Sequence, residues 1–488
     1  MDIEERRMLI DGELVAATNG RTYENIDPAT EQAIGVTADA SVDDIDRAIA
    51  AARRSFDETA WATDHELRAR CIRQLAEALD ADREVLREVI VHEAGCPVLL
   101  TSIVQVDKPI DSIAWWADMA TSYEYDTHLP DSEFYGARNR REVWREPIGV
   151  VAAITAWNYP LFLHLAKLGP ALAAGCTVVL KPPPDTPWSA THIGRLIAER
   201  TDIPAGVVNI VTAADPVAGE QLTTDPRVDM ISFTGSAATG RRIMVAAAPT
   251  LKKLALELGG KSAMIALDDS DVATAAMMSG LGMCTHAGQG CAMTTRLLVP
   301  RSRYEEAVES AVAGMASVKV GDPTDPEVLQ GPQISDRQRE RVLSYIEKGV
   351  ADGGRIACGG GRPADLERGY YVESTVVADV DNSSTIAQEE IFGPVLVVLP
   401  FDGDDDAVRI ANDSIYGLSG AVVSADEDRA IAVARKIRTG SMSVNGGQWF
   451  GVDTPFGGAK QSGVGRENGI EGFEEFLEIK AIGLPARD

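Results

Sequence analysis

The chain runs to 488 residues, 45% hydrophobic and 25% charged, a globular composition large enough for roughly two or three compact units. Its formal charge of −28 repels phosphate backbones and anionic bilayers, so nucleic acid and membrane surfaces are excluded as partners and the charge serves solubility. No apolar run approaches the ~20 residues of a spanning helix, and the six cysteines (Cys71, Cys96, Cys176, Cys284, Cys291, Cys358) lack metal-ligand spacing, which points to a reducing cytoplasm.

From the N-terminus onward, short β-rich runs alternate with helical patterns, the signature of an α/β chain with parallel sheets. The opening MDIEERRMLIDGE has no apolar core and does not read as a signal peptide. Glu142–Pro147 (EVWREP) reads as an exposed strand. Val150–Ile154 follows as a buried strand, and a loop from Thr155 to Pro160 leads into an apolar helix from Leu161. Thr177–Leu180 is a second strand, ending at Lys181. Thr186 and Pro187 suit the cap and first turn of a helix whose core stripe is Ile193, Leu196 and Ile197. Val207–Val211 and Val228–Phe233 are further strands, and the repeated strand–helix unit is the pattern of a dinucleotide-binding fold. After Gly260 a second α/β unit begins. There Ser302 with Glu305 reads as a capping box before the helix-spaced Tyr304, Ala307, Val308, Ala311, Val312 and Met315. Strand and helix patterns continue to about Arg438. The tail, Phe476–Leu484 (FLEIKAIGL), is strand-like. Like EVWREP it looks isolated, which leaves strand addition by a partner subunit as a way to bury it.

Several stretches carry candidate chemistry. Asn158, in WNYP, follows a strand, where it can aim its NH₂ into a cleft as an oxyanion donor or simply fill a turn before a Pro-initiated helix. Phe233-Thr234-Gly235-Ser236 ends a strand, with Gly240 one helical turn on, so helix amides and the Ser hydroxyl can hold a phosphate. The G-x-G-x-x-G fingerprint is absent there, and Arg241 and Arg242 stand where a P-loop has Lys-Ser/Thr. Glu257, in LALELGG, is costly in an apolar strand unless used or paired; desolvation suits it to general-base work, and a salt-bridged structural role fits equally. Cys291, in GQGCA, has small neighbours that leave its sulfur free to attack a carbonyl, although a lone cysteine is more often structural. Glu389-Glu390-Ile391-Phe392-Gly393-Pro394 offers a carboxylate for a ribose and a flat apolar face, or an acidic loop before a buried strand.

Together and in this order, AWNYP, VLKP, FTGS, LELGGK, GQGC, EEIFGP and PFGGAKQSG resemble the NAD(P)-dependent, hydrolytic aldehyde dehydrogenase superfamily over nearly the full length. The resemblance implies an α/β fold with a Rossmann-like dinucleotide-binding domain (1–121 and 148–258) and a second α/β catalytic domain (259–438). It adds a substrate and anchor loop region returning to the cofactor domain (439–471), and a small β oligomerisation element (122–147 and 472–488) joining a homodimer or homotetramer. It implies Cys291 as nucleophile, Asn158 with the Cys291 backbone N–H as oxyanion hole, Glu257 as water base and Lys167 as an aid to proton traffic. It places NAD against Ile154, Thr155, Trp157, Lys181, Phe233, Gly235, Ser236, Glu257, Leu258, Gly259, Glu390 and Phe392. Lys181 then meets the adenosine ribose, Ser236 the pyrophosphate and Glu390 the nicotinamide ribose. No metal is expected.

Tyr159, Leu163, Trp449, Phe450 and Phe456 match the family's substrate tunnel. Ala166 stands where some relatives carry Trp, which would widen one wall, and Gln448 is neutral. With no evident Arg to grip a carboxylate, the tunnel suits a medium or bulky apolar aldehyde. A CoA-acylating, semialdehyde or betaine-aldehyde dehydrogenase is the alternative. Two departures stand out: Ala156 replaces the usual Pro before Trp-Asn, and Pro184, in KPPPD, stands where NAD-preferring members commonly carry Glu. NAD remains the expected cofactor. NADP is the alternative, because losing that carboxylate also removes repulsion of a 2′-phosphate.

Overall fold

The computed structural model describes residues 3–486. Eight strands form the first sheet, in the order Gly463–Val464, Lys253–Glu257, Met230–Thr234, Val150–Ile154, Thr177–Lys181, Val208–Ile210, Met8–Ile10 and Glu13–Val15. The five strands from Lys253–Glu257 to Val208–Ile210 run parallel. Such strands are covered on both faces, which is why VVAAI and TVVLK are nearly continuous apolar runs. Alternate residues go to opposite cores: Val151 and Ala153 pack with Leu161, Leu165 and Leu168, whereas Val150 and Ala152 pack with Ile45 and Ile49. Each Val, Leu or Ile among them contributes about 1.5–3 kcal/mol when fully buried.

The second sheet has seven strands, in the order Arg355–Cys358, Thr375–Ala378, Val395–Phe401, Arg296–Pro300, Ala263–Ala266, Gly420–Val423 and Ser443–Val444. Only the edge pairing of Arg355–Cys358 is antiparallel. Here too the faces alternate: Val395, Val397 and Leu399 join one core, Leu396 and Val398 the other. The chain crosses from this sheet at Ser443–Val444 back to the first at Gly463–Val464, so the segment between them spans the two.

Four sequence expectations are corrected. Glu142–Pro147 and the tail are not isolated. Leu477–Pro485 pairs antiparallel with Ala137–Pro147, which pairs in turn with Asp126–Phe134, and the three form a sheet within one chain. Residues 487 and 488 of the expected 472–488 element lie outside the described residues, as do the first two of the opening segment. The helix Trp188–Arg200 is not capped by Thr186, whose hydroxyl has no partner. The buried Glu93 carboxylate instead accepts the N–H groups of Trp188 (2.8 Å) and Ser189 (3.0 Å), a cap supplied from elsewhere in the chain. Ser302 and Glu305 form no capping box. A 3₁₀ turn, Arg301–Arg303, precedes the helix Tyr304–Ala316, and Glu305 pairs with Arg355 at 3.1 Å. The strands read as Val207–Val211 and Val228–Phe233 are trimmed or shifted to Val208–Ile210 and Met230–Thr234.

Candidate active site

Strand register places the first set of side chains. Ile154 lies beside Lys181 and Phe233, and Thr234 beside Glu257, so all stand at the carboxyl edge of the parallel sheet, where α/β folds bind ligands. A cleft of about 920 Å³ opens there. Asn158, Glu257 and Cys291 all line it, with Trp157, Gly235, Ser236, Leu258, Gly259, Glu390 and Phe392, and with Tyr159, Leu163, Trp449, Phe450 and Phe456. Ile154, Thr155, Lys181 and Phe233 lie outside that lining, at the neighbouring strand ends.

Cys291 is carried by a loop of unusual shape. After the helix Val272–Cys284, three successive residues take positive φ: His286 (48°), Ala287 (52°) and Gly288 (71°). A Cβ at Gly288 would lie 2.1 Å from the Gly393 carbonyl oxygen, so the loop packs too closely for any side chain there. Gln289, fully buried, clamps the turn: its amide donates to the carbonyls of His286 (3.1 Å) and Pro332 (3.2 Å), and its Oε1 accepts the Ile334 N–H (2.9 Å). The Gln289 main-chain carbonyl accepts from Asn158 Nδ2 at 3.0 Å. Two stretches 131 positions apart are thus tied together beside the sulfur. Burial pushes the Cys291 thiol up to about 12, helped by the negative charges of Glu257, Glu390 and Glu467. The thiol is therefore protonated at neutral pH and needs a proton acceptor before it can attack.

Glu257 ends its strand with both carboxylate oxygens buried and without a hydrogen-bond partner among the described residues. Burial raises its pKa well above the usual carboxylate value, the Glu467 charge adds to that, and Lys167 and Arg466 oppose it. Gly457 leaves it room, since a Cβ there would come within 2.6 Å of Glu257 Oε1. A carboxyl in this state suits a general base working near neutral pH.

Glu467 is one residue that sequence reading missed. It lines the cleft and forms a buried ion pair with Lys167, whose Nζ also donates to Ser232 Oγ at 3.1 Å. Lys167 is buried behind the cleft rather than in its wall. The only sequence signal for Glu467 was an acid inside the glycine-rich stretch after PFGGAKQSG, too weak to single out.

At the other end, Ser236 caps the helix Ala237–Ala247 by accepting the Thr239 N–H at 3.2 Å. First-turn residues Ala237 and Ala238 face the cleft, a suitable seat for a phosphate. Glu390 Oε1 accepts the Gly260 N–H at 2.9 Å, and burial raises its carboxyl to about 7. A Cβ at Gly259 would sit 2.1 Å from Glu390 Oε2, so only glycine leaves space for that carboxylate. Phe392, at φ 63°, stands edge-on to Trp157 with centroids 5.2 Å apart. Burial lowers Lys181 to about 8 while Asp185 opposes it, and its Nζ donates to the Pro182 carbonyl at 3.3 Å. These groups suit a dinucleotide: amides for phosphate, a carboxylate for a ribose, and flat faces for a ring.

The apolar end is aromatic. Trp449 and Phe456 lie parallel, 5.8 Å apart, and Phe450 meets both edge-on. Phe162, which the sequence did not flag, packs on Phe450 at 5.4 Å. Ala166 is buried in its helix and falls short of the cleft lining. Among the described residues no group of three or more His, Cys, Asp or Glu could hold a metal, and no helix is long and apolar enough to cross a membrane.

Comparison with known proteins agrees with this geometry. The family model "Aldehyde dehydrogenase family" matches residues 14–482. The 3-succinoylsemialdehyde-pyridine dehydrogenase of a Pseudomonas species is 42% identical, with 98% of each chain covered. The geranial dehydrogenase of Castellaniella defragrans is 37% identical over 99% of this chain and 100% of its own. Among solved structures, the NAD⁺ complex of an aldehyde dehydrogenase from Bacillus cereus superposes with a TM-score of 0.95 at 38% identity, covering 99% of this chain and 97% of that one.

Proposed function

The chain belongs to the aldehyde dehydrogenase family and oxidises an aldehyde to a carboxylic acid with NAD; on that premise we propose that Cys291, Asn158 and Glu257 divide the chemistry between them. Glu257 takes the Cys291 proton as Sγ adds to the aldehyde carbon. The resulting alkoxide is held by the second Nδ2–H of Asn158 and the Cys291 backbone N–H, in a site where such donors are worth far more than in water. The alkoxide collapses, its C–H bond breaks with the electron pair leaving as hydride, and the carbonyl re-forms as a thioester on Cys291. NAD would be held against Ser236, Glu390 and Phe392 and would supply the hydride acceptor. Glu257 first sheds the Cys291 proton through the buried charge pair of Lys167 and Glu467. It then deprotonates a water, which attacks the thioester; the C–S bond breaks, the acid leaves, and Glu257 returns the water's proton to the thiolate.

The observation carrying this reading is the bond from Asn158 Nδ2 to the Gln289 carbonyl, two residues before Cys291, in a cleft that also holds the unpaired Glu257. That unpaired carboxyl also argues against acyl transfer to CoA, which needs no water base. The test follows NAD reduction with an aldehyde panel for the wild type and Cys291→Ala. The variant should reduce no cofactor; equal rates would overturn the nucleophile assignment.

The aromatic end favours a medium or bulky apolar aldehyde. The relative named for geranial supports that class; the one named for a pyridine semialdehyde fits the semialdehyde alternative, and Arg241, Arg337 and Arg341 line the cleft where the sequence offered no evident Arg. Lys181 and Glu390 suit the two riboses, and Pro184 leaves NADP as a second cofactor. The two large sheets support a cofactor domain of 1–121 and 148–258 and a catalytic domain of 259–438, with 439–471 returning between them. The three-stranded sheet, with Ile479 71% exposed, supports a homodimer or homotetramer joined through 122–147 and 472–488. Six cysteines without disulfides suit a cytoplasmic setting.

A further inference from the structure

Two buried polar side chains converge on Asn158 and have no part in the chemistry above. Gln105 closes a π-helical turn, Thr101–Gln105, through the bond from Val106 N–H to the Thr101 carbonyl at 2.9 Å. Such turns sacrifice helix geometry and recur where a side chain must be aimed. Gln105 Nε2 donates to the Asn158 main-chain carbonyl at 2.9 Å, and since Gln105 Oε1 has no partner, this is the side chain's single hydrogen bond. His286 is the second. It holds a left-handed backbone conformation that non-glycine residues rarely adopt, and its ring packs 5.5 Å from that of Tyr159, the residue after Asn158. The ring lies near the Asn158 carbonyl, and neither ring nitrogen makes a hydrogen bond. Burial keeps it neutral, lowering it to about 4. A neutral imidazole has one N–H to offer, and a carbonyl has a second lone pair to receive it.

We propose that Gln105 and His286 are positioning residues: Gln105 holds the Asn158 main-chain carbonyl, the His286 ring lies close enough to share it, and the Gln289 carbonyl holds the Asn158 side-chain amide, so that the remaining Nδ2–H faces the developing alkoxide. The inference rests on the oxyanion assignment of Asn158 above. The geometry behind it is a residue gripped at both ends. One Nδ2–H is committed to the Gln289 carbonyl at 3.0 Å, and the main chain is fixed from the opposite side at 2.9 Å. Freed from Gln105, the Asn158 peptide can rotate, and Nδ2 moves with it.

The test separates carbonyl addition from thiol access. In stopped flow, Gln105→Met, which removes the donor, should slow the burst of NAD reduction about tenfold, part of the 10²–10³ lost when an oxyanion donor is deleted outright. Iodoacetamide alkylation of Cys291 and the Kd for NAD, neither of which uses the oxyanion site, should stay within about twofold. His286→Asn keeps a side-chain donor and tolerates left-handed backbone, so it should retain the burst, whereas His286→Ala should slow it. A wild-type burst in Gln105→Met would overturn the proposal. So would losses in alkylation and NAD affinity matching the loss in burst, which mark a merely structural role. If Gln105→Met does not fold, the two His286 variants decide, and equal bursts from them overturn it. An absent burst in the wild type would instead overturn the assignment of Cys291 and Asn158 on which the inference stands.

Discussion

The two large sheets deliver their functional groups by opposite means. On the first, Glu257 and Lys181 come off the ends of regular parallel strands whose register fixes each position, Thr234 beside Glu257 and Ile154 beside Lys181. On the second, Cys291 sits on a loop with three consecutive positive-φ residues, held in place by the buried Gln289. A base can be set at a strand end because it needs only burial and direction. A nucleophile that must share its carbonyl with an amide from the other sheet needs a backbone path that no regular element provides. The regular side should therefore tolerate packing changes without losing chemistry, and the irregular side should not.

The largest effect tests the regular side at its one chemical residue. Glu257→Gln should lower steady-state turnover about 10²–10⁴-fold, the usual worth of a general base, and should slow the burst of reduced cofactor in stopped flow too, because Glu257 takes the proton of Cys291 as well as that of the water. Unchanged turnover would remove Glu257 from the mechanism. Next is the charge pair behind it. Lys167→Met strands Glu467 as a buried unpaired charge, which costs about 3–5 kcal/mol in a denaturant melt; a loss below ~1 kcal/mol would show that water reaches the pair.

The third prediction sets the two sides directly against each other. Gly288→Ala places a Cβ 2.1 Å from the Gly393 oxygen at a φ of 71°, and should cost about 2–3 kcal/mol and reduce the burst. Val179→Ala, in the middle of a first-sheet strand, should cost a similar ~2 kcal/mol with the burst unchanged. If both variants keep the burst, the contrast between the sheets fails. The smallest effect is a pH dependence. A carboxyl whose pKa rises on folding stabilises the native state fully below its ordinary value of 4.5, and that stability is lost as pH climbs through the folded value. Glutamine has no such loss. Glu257→Gln should therefore melt higher than the wild type at pH 8, by on the order of 2 °C, with the advantage vanishing near pH 4.5. A constant difference across pH would mean the carboxyl is not held in its raised state.

Much of the site was legible because its residues sit in stretches whose composition announces them. Gly288 beside Cys291, Gly259 after Glu257, and Pro160 after Asn158 each mark a point where a side chain or backbone needs room or a fixed turn. Capping failed where the sequence suggested a local solution. Thr186 looked like a cap, yet Glu93, more than ninety positions away, performs that role, and Ser302 lost its place to a 3₁₀ turn. Glu467, Gln105 and Phe162 went unseen for the same reason: each becomes functional only through a partner distant in sequence.

The sequence by itself determined the family, the two parallel sheets and the sulfur, amide and carboxylate, because hydrophobic period and motif spacing are properties of neighbouring residues. Tertiary structure alone decided that Glu257 goes unpaired, that Lys167 spends its charge on Glu467, and that Asn158 is gripped from two sides. Desolvation and hydrogen bonding depend on what surrounds an atom in space, and in this chain those surroundings are assembled from segments more than fifty to three hundred residues apart.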